Sequence, residues 1–395
     1  MIKKNKLNNW PSFDAAEIKS IEKILLSGKV NYWTGNHGKE FEKEFSEWIG
    51  SRNSIAVANG TLALDLALKS LNIGPGDKVI VTPRSFIASV SSVINAGAEP
   101  IFCDVSRESG NITIDSIESV YTKDVKGILC VHLAGWPCDM DPIISFAKSK
   151  NIYVIEDCAQ AHGAKYNGAH VGTIGDIGAW SFCQDKIMST GGEGGMVATN
   201  SEELWEKMWS YKDHGKSFNS VYNTKHPPGF RWLHDSFGTN FRITEFQAAI
   251  GRSQLKKMET WTELRRNNAN KLIDVLNDFQ DLIRVPVCKN GFEHAYYKLY
   301  AYLKIPNLKN GWNRAKVLQK FNDLNIPCFE GSCSEIYKEK AFTGTNLGPK
   351  KDLPNAKELG QSSITFLVHP TLTDKDVSYI QEGIKSVLEE VRLRP

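Results

Sequence analysis

Short apolar runs alternate along the chain with longer stretches that have helical spacing of their apolar positions. Such alternation is typical of parallel strands that are covered by helices on both faces. Seven apolar runs predict strands, at residues 55–58, 78–82, 99–103, 126–132, 152–156, 177–182 and 195–199. Helical spacing predicts helices, at residues 14–27, 38–49, 61–71, 85–96 and 141–150. We therefore expect an α/β domain with a mainly parallel, seven-stranded sheet flanked by helices.

The pattern changes after residue 240. One long helix is predicted first, and then a strand, a helix, a segment broken by Pro and Gly, a strand and a last helix, at residues 242–278, 295–304, 314–324, 327–354, 364–368 and 374–391. A chain of 395 residues exceeds the usual size of one domain. We expect a large domain over residues 1–255 and a smaller C-terminal α/β domain over residues 256–395.

The composition of the chain indicates which kinds of partner are not expected. Hydrophobic residues make up 41% and charged residues 24% of the chain, and the net charge is only +3, so neither nucleic acid nor a membrane is expected as the main partner. No apolar run approaches the roughly 18 residues of a membrane span. The eight cysteines contain no Cys-x-x-Cys pair, which indicates reduced thiols and no metal site. With the polar stretch at residues 1–9, this predicts a cytoplasmic protein.

The chemistry is concentrated around Asp157 and Lys186. An apolar run ends at Asp157, and Ser181, Lys186 and a glycine turn at 191–195 follow about thirty residues later. Pyridoxal phosphate (PLP) requires such groups: a lysine to hold its aldehyde as a Schiff base, and a carboxylate to keep its pyridine nitrogen protonated. Alone, each is explained by a strand end or a solvated lysine. Their order and spacing together predict a PLP site.

A phosphate site is predicted where the first strand ends. The run 55–58 leads into Asn59, Gly60 and Thr61, and good helix formers follow, so free backbone amides and a hydroxyl point at one place. The alternative is that Thr61 is only a helix cap. Because the chain has neither Gly-x-Gly-x-x-Gly nor Gly-x-x-x-x-Gly-Lys, a nicotinamide cofactor and a nucleoside triphosphatase lack their usual support.

These motifs and several others resemble the DegT/DnrJ/EryC1/StrS family of PLP-dependent sugar aminotransferases, which has the aspartate aminotransferase fold (fold type I). The resemblance covers nearly the whole chain. It is found at Phe41–Phe45, Ala58–Leu64, Thr82–Phe86, Val131–Gly135, Glu156–Gly163, Ser181–Gly195, Asp213–Gly215 and Asn240–Ala249. One departure is an extra glycine in the turn after the lysine, which is conformationally cheap.

The resemblance assigns roles to single residues. Lys186 and Asp157 are expected to be catalytic. The implied cofactor contacts are Gly60, Thr61 and Ser181 on the phosphate, Phe86 stacked on the ring, Gln160 near the ring hydroxyl, and Asp157, Lys186 and Asn240. Without the resemblance, Phe86 would be interpreted as a core residue.

The resemblance also implies a homodimer with composite active sites, since the segment of Asn240 and Arg242 reaches the neighbouring subunit in related enzymes. Tyr32, Trp33, Arg231 and Arg242 are the candidate substrate contacts. A basic and aromatic connection at residues 216–234 is either an anion-binding loop over the sugar or a solvated insertion. Likewise, Arg242 could be an ordinary surface arginine at a helix start.

The expected reaction moves the amino group of L-glutamate onto a carbonyl of an oxo-sugar. General similarity favours 8-oxo-3-deoxy-D-manno-octulosonate, which would give an 8-amino sugar for lipopolysaccharide biosynthesis. The alternative is a GDP-, UDP- or dTDP-linked 4-keto-6-deoxy or 3-keto sugar. A sugar dehydratase of the family would have histidine in place of Lys186, and a non-catalytic PLP-binding regulatory protein would tolerate loss of Lys186 or Asp157.

Overall fold

A computed structural model describes residues 7–393. Residues 1–6, which begin the polar stretch from which a cytoplasmic protein is expected, lie outside the described residues, as do 394–395. Within 7–393 the helices are α1 (Ala15–Ser27), α2 (His37–Ile49), α3 (Gly60–Ser70), α4 (Ala88–Asn95), α5 (Ile114–Glu118), α6 (Met140–Lys150), α7 (Glu202–Lys212), α8 (Phe218–Tyr222), α9 (Glu245–Leu255), α10 (Met258–Asn277), α11 (Arg314–Asp323), α12 (Pro354–Ser362) and α13 (Asp374–Val391). None of these helices is both long and apolar enough to cross a bilayer.

The strands of the same residues form three sheets. They are β1 (Asn53–Val57), β2 (Lys78–Val81), β3 (Glu99–Phe102), β4 (Val125–Val131), β5 (Tyr153–Asp157), β6 (Lys165–Tyr166), β7 (Ala169–His170), β8 (Ile177–Ser181), β9 (Gly195–Thr199), β10 (Ile283–Arg284), β11 (Phe292–Glu293), β12 (Leu299–Leu303), β13 (Cys328–Phe329) and β14 (Ser363–Phe366).

The central sheet has seven strands in the order β1-β9-β8-β5-β4-β2-β3. Only β9 runs antiparallel to its neighbours, and β2, β3, β4, β5 and β8 pair in parallel. The predicted mainly parallel, seven-stranded sheet is therefore confirmed. Its strands are buried on both faces, as the near-continuous apolar runs indicate.

Helices cover the sheet through aromatic side chains. On α2, the Phe45 ring lies 5.1 Å from that of Trp180 on β8, and the Phe41 ring lies 5.4 Å from that of Phe182. All four side chains are buried. Because α3 also packs on β8 and β9, the end of β8 is held between helices at the point where Ser181 emerges.

A second, antiparallel sheet in the C-terminal part has the order β10-β12-β14-β13. It packs on α10, α11 and α13 in a separate apolar core, in which the rings of Phe321 and Phe366 meet edge to face at 5.2 Å. A smaller C-terminal α/β unit is thus present. Met258 still packs in the core of the large sheet, whereas Ala269 packs in the second core. The boundary at residues 255/256 stays a prediction.

Two predicted elements differ from the structure. The single helix expected at 242–278 is two helices, α9 and α10, separated at Lys256–Lys257. The segment 327–354 is predicted to be interrupted by Pro and Gly, and no helix is predicted between it and the strand at 364–368. In the structure, helix α12 begins at the last residue of this segment, Pro354. Proline is tolerated at the first helical position, where the missing N–H would have no partner, so Pro354 starts a helix.

One buried carboxylate organises the end of β5. Glu156 accepts hydrogen bonds from the backbone amides of Gly172 (2.7 Å), Ile174 (2.9 Å) and Gly175 (2.6 Å). His132 Nε2 lies 2.9 Å from the same carboxylate. Because this buried charge accepts all three amide hydrogen bonds, it ties the loop between β7 and β8 to the end of β5.

We predict that Glu156→Gln lowers the free energy of unfolding by about 2–4 kcal/mol, because its amide N–H₂ would face backbone donors in a buried site. Denaturant unfolding would measure the change. The matched control is Glu118→Gln on α5, where the exposed side chain forms no hydrogen bond in the described part of the chain and the change should stay within about 0.5 kcal/mol. Equal stability of the two variants would contradict the anchoring role.

Candidate active site

A cavity of about 530 Å³ opens where β1, β5 and β8 end. In a doubly wound sheet, ligands bind at this edge. Seven of the eight predicted cofactor contacts line the cavity together: Gly60, Thr61, Phe86, Asp157, Gln160, Ser181 and Lys186. The eighth, Asn240, does not line it.

The start of α3 forms one end of the cavity. Asn59 is the N-cap, and its side chain accepts from the amide of Leu62 at 2.9 Å. The alternative that Thr61 is only the helix cap is therefore wrong. Thr61 is exposed at the cavity, and the amides of Gly60 and Thr61 belong to the first turn, where a helix offers no acceptors. This end suits a phosphate.

Gly60 and Ser181 bring α3 and β8 unusually close. A Cβ atom on Gly60 would lie 2.5 Å from the Cβ of Ser181. Glycine is therefore required here for space, and it lets the Ser181 hydroxyl stand beside the helix start. That hydroxyl accepts only a long bond, 3.3 Å, from the amide of Cys183. The two residues thus form a cradle that leaves a donor free for an anion.

Asp157 is the buried carboxylate of the cavity. It accepts from the hydroxyl of Ser89 at 2.7 Å and from the amide of Ala159 at 3.0 Å, and Ser89 in turn bonds to Ser85 at 2.8 Å. Burial raises the pKa of Asp157, against the effect of these hydrogen bonds. A cationic N–H partner would offset this burial cost. Sequence reasoning missed Ser89, although a serine at the start of an apolar helix was a visible signal.

Lys186 enters the cavity from the loop after β8. Its amide donates to the carbonyl of Cys183 at 3.0 Å, and its own carbonyl accepts from the Trp10 indole at 2.7 Å. The ammonium lies 5.2 Å from the centre of the Tyr297 ring, and the Tyr297 hydroxyl donates to Asp185. Trp10 and Tyr297 were not predicted, because both are distant in sequence from the lysine that they contact.

The remaining lining residues fit a flat ring. Phe86 is 66% exposed and forms part of the cavity wall, so it is not the core residue that it would be taken for alone. Gln160 is buried, and its carbonyl oxygen accepts from the amide of Ala134 at 2.7 Å. The side-chain orientation of Gln160 is therefore fixed, which leaves its NH₂ group as the available donor.

The other predicted residues lie away from this cavity. Tyr32 is 2% exposed and donates to Glu42 at 2.9 Å. Trp33 stacks with Tyr222, at 6.4 Å between ring centres. Arg242 pairs with the buried Asp213 at 2.8 Å.

Asn240 and Arg231 are exposed. The structure of one chain does not bring either residue to the cavity, nor Tyr32, Trp33 or Arg242. The substrate and cofactor contacts expected of these five residues stay predictions.

The residues present fit PLP: a cradle for the phosphate, a wall for the ring, a buried carboxylate and a lysine. The central sheet with this cavity at its strand ends is that of a fold type I, PLP-dependent aminotransferase. The chain belongs to the DegT/DnrJ/EryC1/StrS aminotransferase family, which matches residues 11–385. It is accordingly a PLP-dependent sugar aminotransferase.

Individual relatives agree with this family. The chain is 34% identical over 381 residues to the GDP-perosamine synthase of Escherichia coli O157:H7, covering 95% of this chain and 96% of that protein. It is 32% identical over 371 residues to the UDP-N-acetyl-3-dehydro-alpha-D-glucosamine 3-aminotransferase of Acidithiobacillus ferrooxidans, covering 94% and 93%. The X-ray structure of the aminotransferase from Psychrobacter cryohalolentis superimposes with a TM-score of 0.96 at 55% identity, covering 98% and 100%.

We predict that Gly60→Ala weakens PLP binding by about tenfold or more, because the added methyl group pushes the start of α3 away from Ser181. Titration of the apoenzyme with PLP, followed by absorbance, measures this. Gly74→Ala is the matched control, since the nearest atom to its Cβ would be the Ala96 carbonyl oxygen at an ordinary 3.5 Å. Wild-type PLP affinity in Gly60→Ala would show that the cradle does not hold the cofactor.

Proposed function

We propose that this protein transfers the amino group of L-glutamate to the keto group of a nucleotide-linked sugar. The observation that carries the aminotransfer is the convergence of Lys186, Asp157 and the Gly60–Ser181 cradle in one cavity. The relatives named for GDP- and UDP-linked sugars support the nucleotide link.

Each residue has one task in this proposal. PLP, when bound, supplies the electron sink for the amino-group transfer. Gly60, Thr61 and Ser181 would hold its phosphate, Phe86 would cover its ring, and Asp157 would keep the ring nitrogen protonated. The Nζ of Lys186 would hold the cofactor aldehyde and, when free, would be the base that takes the proton from the substrate carbon and returns it.

The octulosonate substrate, favoured by general similarity of the sequence, becomes the second candidate. Two relatives are named for GDP- and UDP-linked sugars, and no contact among residues 7–393 favours a free sugar acid. A role in lipopolysaccharide biosynthesis rests on the octulosonate alternative. All eight cysteines are free, which supports the expected cytoplasmic setting.

The decisive experiment is a substrate panel with L-glutamate as donor. It compares GDP-, UDP- and dTDP-linked 4-keto-6-deoxy and 3-keto sugars with 8-oxo-3-deoxy-D-manno-octulosonate, and follows 2-oxoglutarate release. Turnover of a nucleotide-linked sugar supports the proposal. Turnover of the octulosonate alone, or of none of these sugars, would overturn the nucleotide link.

Asp157→Asn should retain PLP but lose turnover. The phosphate cradle is untouched, whereas a neutral amide cannot hold the ring nitrogen protonated, so we expect kcat to fall by about 1000-fold or more. PLP affinity and steady-state rates are measured together. The exposed Asp115 provides the control, since Asp115→Asn should behave as wild type. Unchanged kcat in Asp157→Asn would show that another group serves the ring.

We also propose that the active unit is a homodimer in which Asn240 completes the partner's site. Asn240 is exposed and absent from its own chain's cavity, although it belongs to a family motif. Arg242, two residues further, is also absent from this cavity but is partly buried, and its pairing with Asp213 fixes the orientation of this segment. Two identical surfaces related by a two-fold axis can exchange such contacts.

Mixing inactive Lys186→Ala and Asn240→Ala chains should restore about one quarter of wild-type activity, because half of randomly formed dimers carry one complete site. Activity is followed after dissociation and reassembly. The control is a mixture of Lys186→Ala and Asp157→Asn chains. Lys186 and Asp157 act in the cavity of their own chain, so each cavity of a mixed dimer lacks one of them and no complete site results. If mixed dimers form and remain inactive, Asn240 does not act across the interface.

Residues 216–234 would contact the anionic part of the sugar substrate. Arg231 is exposed between Phe230 and Trp232, whose rings are 79% and 85% exposed. A bidentate contact from arginine to phosphate or carboxylate contributes roughly 1.5–3 kcal/mol, far more than a screened surface charge.

Arg231→Ala should therefore raise KM for the sugar by about tenfold or more and leave the glutamate half-reaction unchanged. Single-turnover kinetics of each half-reaction separate the two effects. Arg52→Ala, at an exposed arginine before β1, is the control. If Arg231→Ala and Arg52→Ala had the same KM for the sugar, residues 216–234 would be interpreted as a solvated insertion that does not contact the substrate.

A further inference from the structure

A second cavity, of about 660 Å³, lies next to the Lys186 loop and shares Asp185 with the first. Much of its wall is apolar and comes from the C-terminal part of the chain. The apolar lining includes Ile326, Phe329, Phe366, Val368, Leu372 and Ile380. A site of this size and character can hold a small organic molecule.

Arg265 lies in the wall of this cavity as a buried cation that pairs with no carboxylate of residues 7–393. Its side chain is 1% exposed and forms no ion pair with a carboxylate of residues 7–393. Its Nη1 makes only long contacts, to the carbonyls of Tyr296 (3.4 Å) and Tyr297 (3.5 Å), and its Nε has no partner in the described residues. Burial lowers the pKa of Arg265 to about 9, so the group is still charged at neutral pH. A buried, unpaired charge is costly unless an anion joins it.

The other polar groups of the wall define the charge of that anion. Lys298 adds a second cation and Asp185 one carboxylate, so the described residues of the wall carry one excess positive charge. His369 adds none, because burial lowers its pKa to about 4. A single carboxylate on a hydrocarbon body matches both this charge and the apolar wall, and a planar guanidinium is the best partner for a carboxylate.

Two residues of the cavity wall, Trp10 and Tyr297, contact the loop that carries Lys186. The Trp10 ring lies 4.9 Å from the Arg265 guanidinium carbon, and the Trp10 indole donates to the Lys186 carbonyl at 2.7 Å. Tyr297, also in the wall, donates to Asp185, which directly precedes Lys186. A molecule paired with Arg265 would touch the groups that position the Lys186 backbone.

We propose that this cavity is a second small-molecule site, which binds an organic monocarboxylate through Arg265 and whose occupancy is transmitted to Lys186 through Trp10, Tyr297 and Asp185. The site is separate from the proposed sugar and glutamate chemistry, and it needs neither for binding. In this proposal, the ligand binds more tightly to one arrangement of the Lys186 loop than to others, and so stabilises that arrangement.

The test is calorimetric titration of the PLP-loaded enzyme with 3-phenylpropionate and with its uncharged amide, 3-phenylpropionamide. We expect the acid to bind at least about tenfold more tightly than the amide, because only the acid pairs with Arg265. Arg265→Gln should remove this preference. Arg266→Gln is the matched control, since Arg266 follows on the same helix, pairs with Glu293 at 3.1 Å and does not line the cavity.

The coupling has its own measurement. Binding of 3-phenylpropionate should shift the pH at which the visible absorption of the lysine-linked cofactor changes, and the shift should vanish in Arg265→Gln. If that variant does not fold, Lys298→Met, at a partly exposed residue of the same wall, replaces it. This variant should bind 3-phenylpropionate more weakly and bind the amide with unchanged affinity.

Equal affinity for acid and amide, or unchanged binding in Arg265→Gln, would overturn the site. Binding without a spectral shift would overturn its link to Lys186. Binding is measured without sugar or glutamate. The binding results would therefore remain valid even if the proposed aminotransfer failed its own test.

Discussion

Two neighbouring carboxylates at the end of β5 set the conditions for the rest of the site. Successive residues of a strand point to opposite faces, so Glu156 and Asp157 serve different purposes. Glu156 is satisfied by three backbone amides and His132, which fixes the loop between β7 and β8. Among residues 7–393, Asp157 accepts hydrogen bonds from Ser89 and one backbone amide only, so a buried carboxylate is left for a ligand. Structure and chemistry are thus divided between adjacent residues.

The elements with strong local signals could be predicted from the sequence. The last helix was predicted with the bounds that it has, because Ile380, Ile384 and Leu388 recur on one buried face and Thr373 caps its start. The strands of the central sheet were found because burial on both faces makes them continuous apolar runs. The long helix was misjudged because apolar spacing continues across Lys256–Lys257, where the backbone hydrogen bonding changes but the side-chain pattern does not.

The candidate site was predictable where motif and strand end coincide, as at Asp157, Ser181 and Lys186. It was not predictable where a contact joins distant parts of the chain. Trp10 on the Lys186 carbonyl and Tyr297 on Asp185 are such contacts, and nothing near either aromatic residue indicates its partner. Asn59 and Thr61, on either side of Gly60, illustrate a finer limit: both residue types can cap a helix, and only the structure shows that Asn59 does.

The surface around residues 230–240 has the features expected where a second copy of the chain would bind. Phe230, Trp232 and Phe237 are 79%, 85% and 100% exposed, and such large aromatic surface is unfavourable in water. Asn240, a few residues further, belongs to a family motif but is not in its own cavity. One contact between two copies would bury the aromatic rings and bring Asn240 to a cavity, so a single interface would account for both observations. In that arrangement, the exposed rings are the energetic reason for the dimer and the asparagine is its chemical consequence.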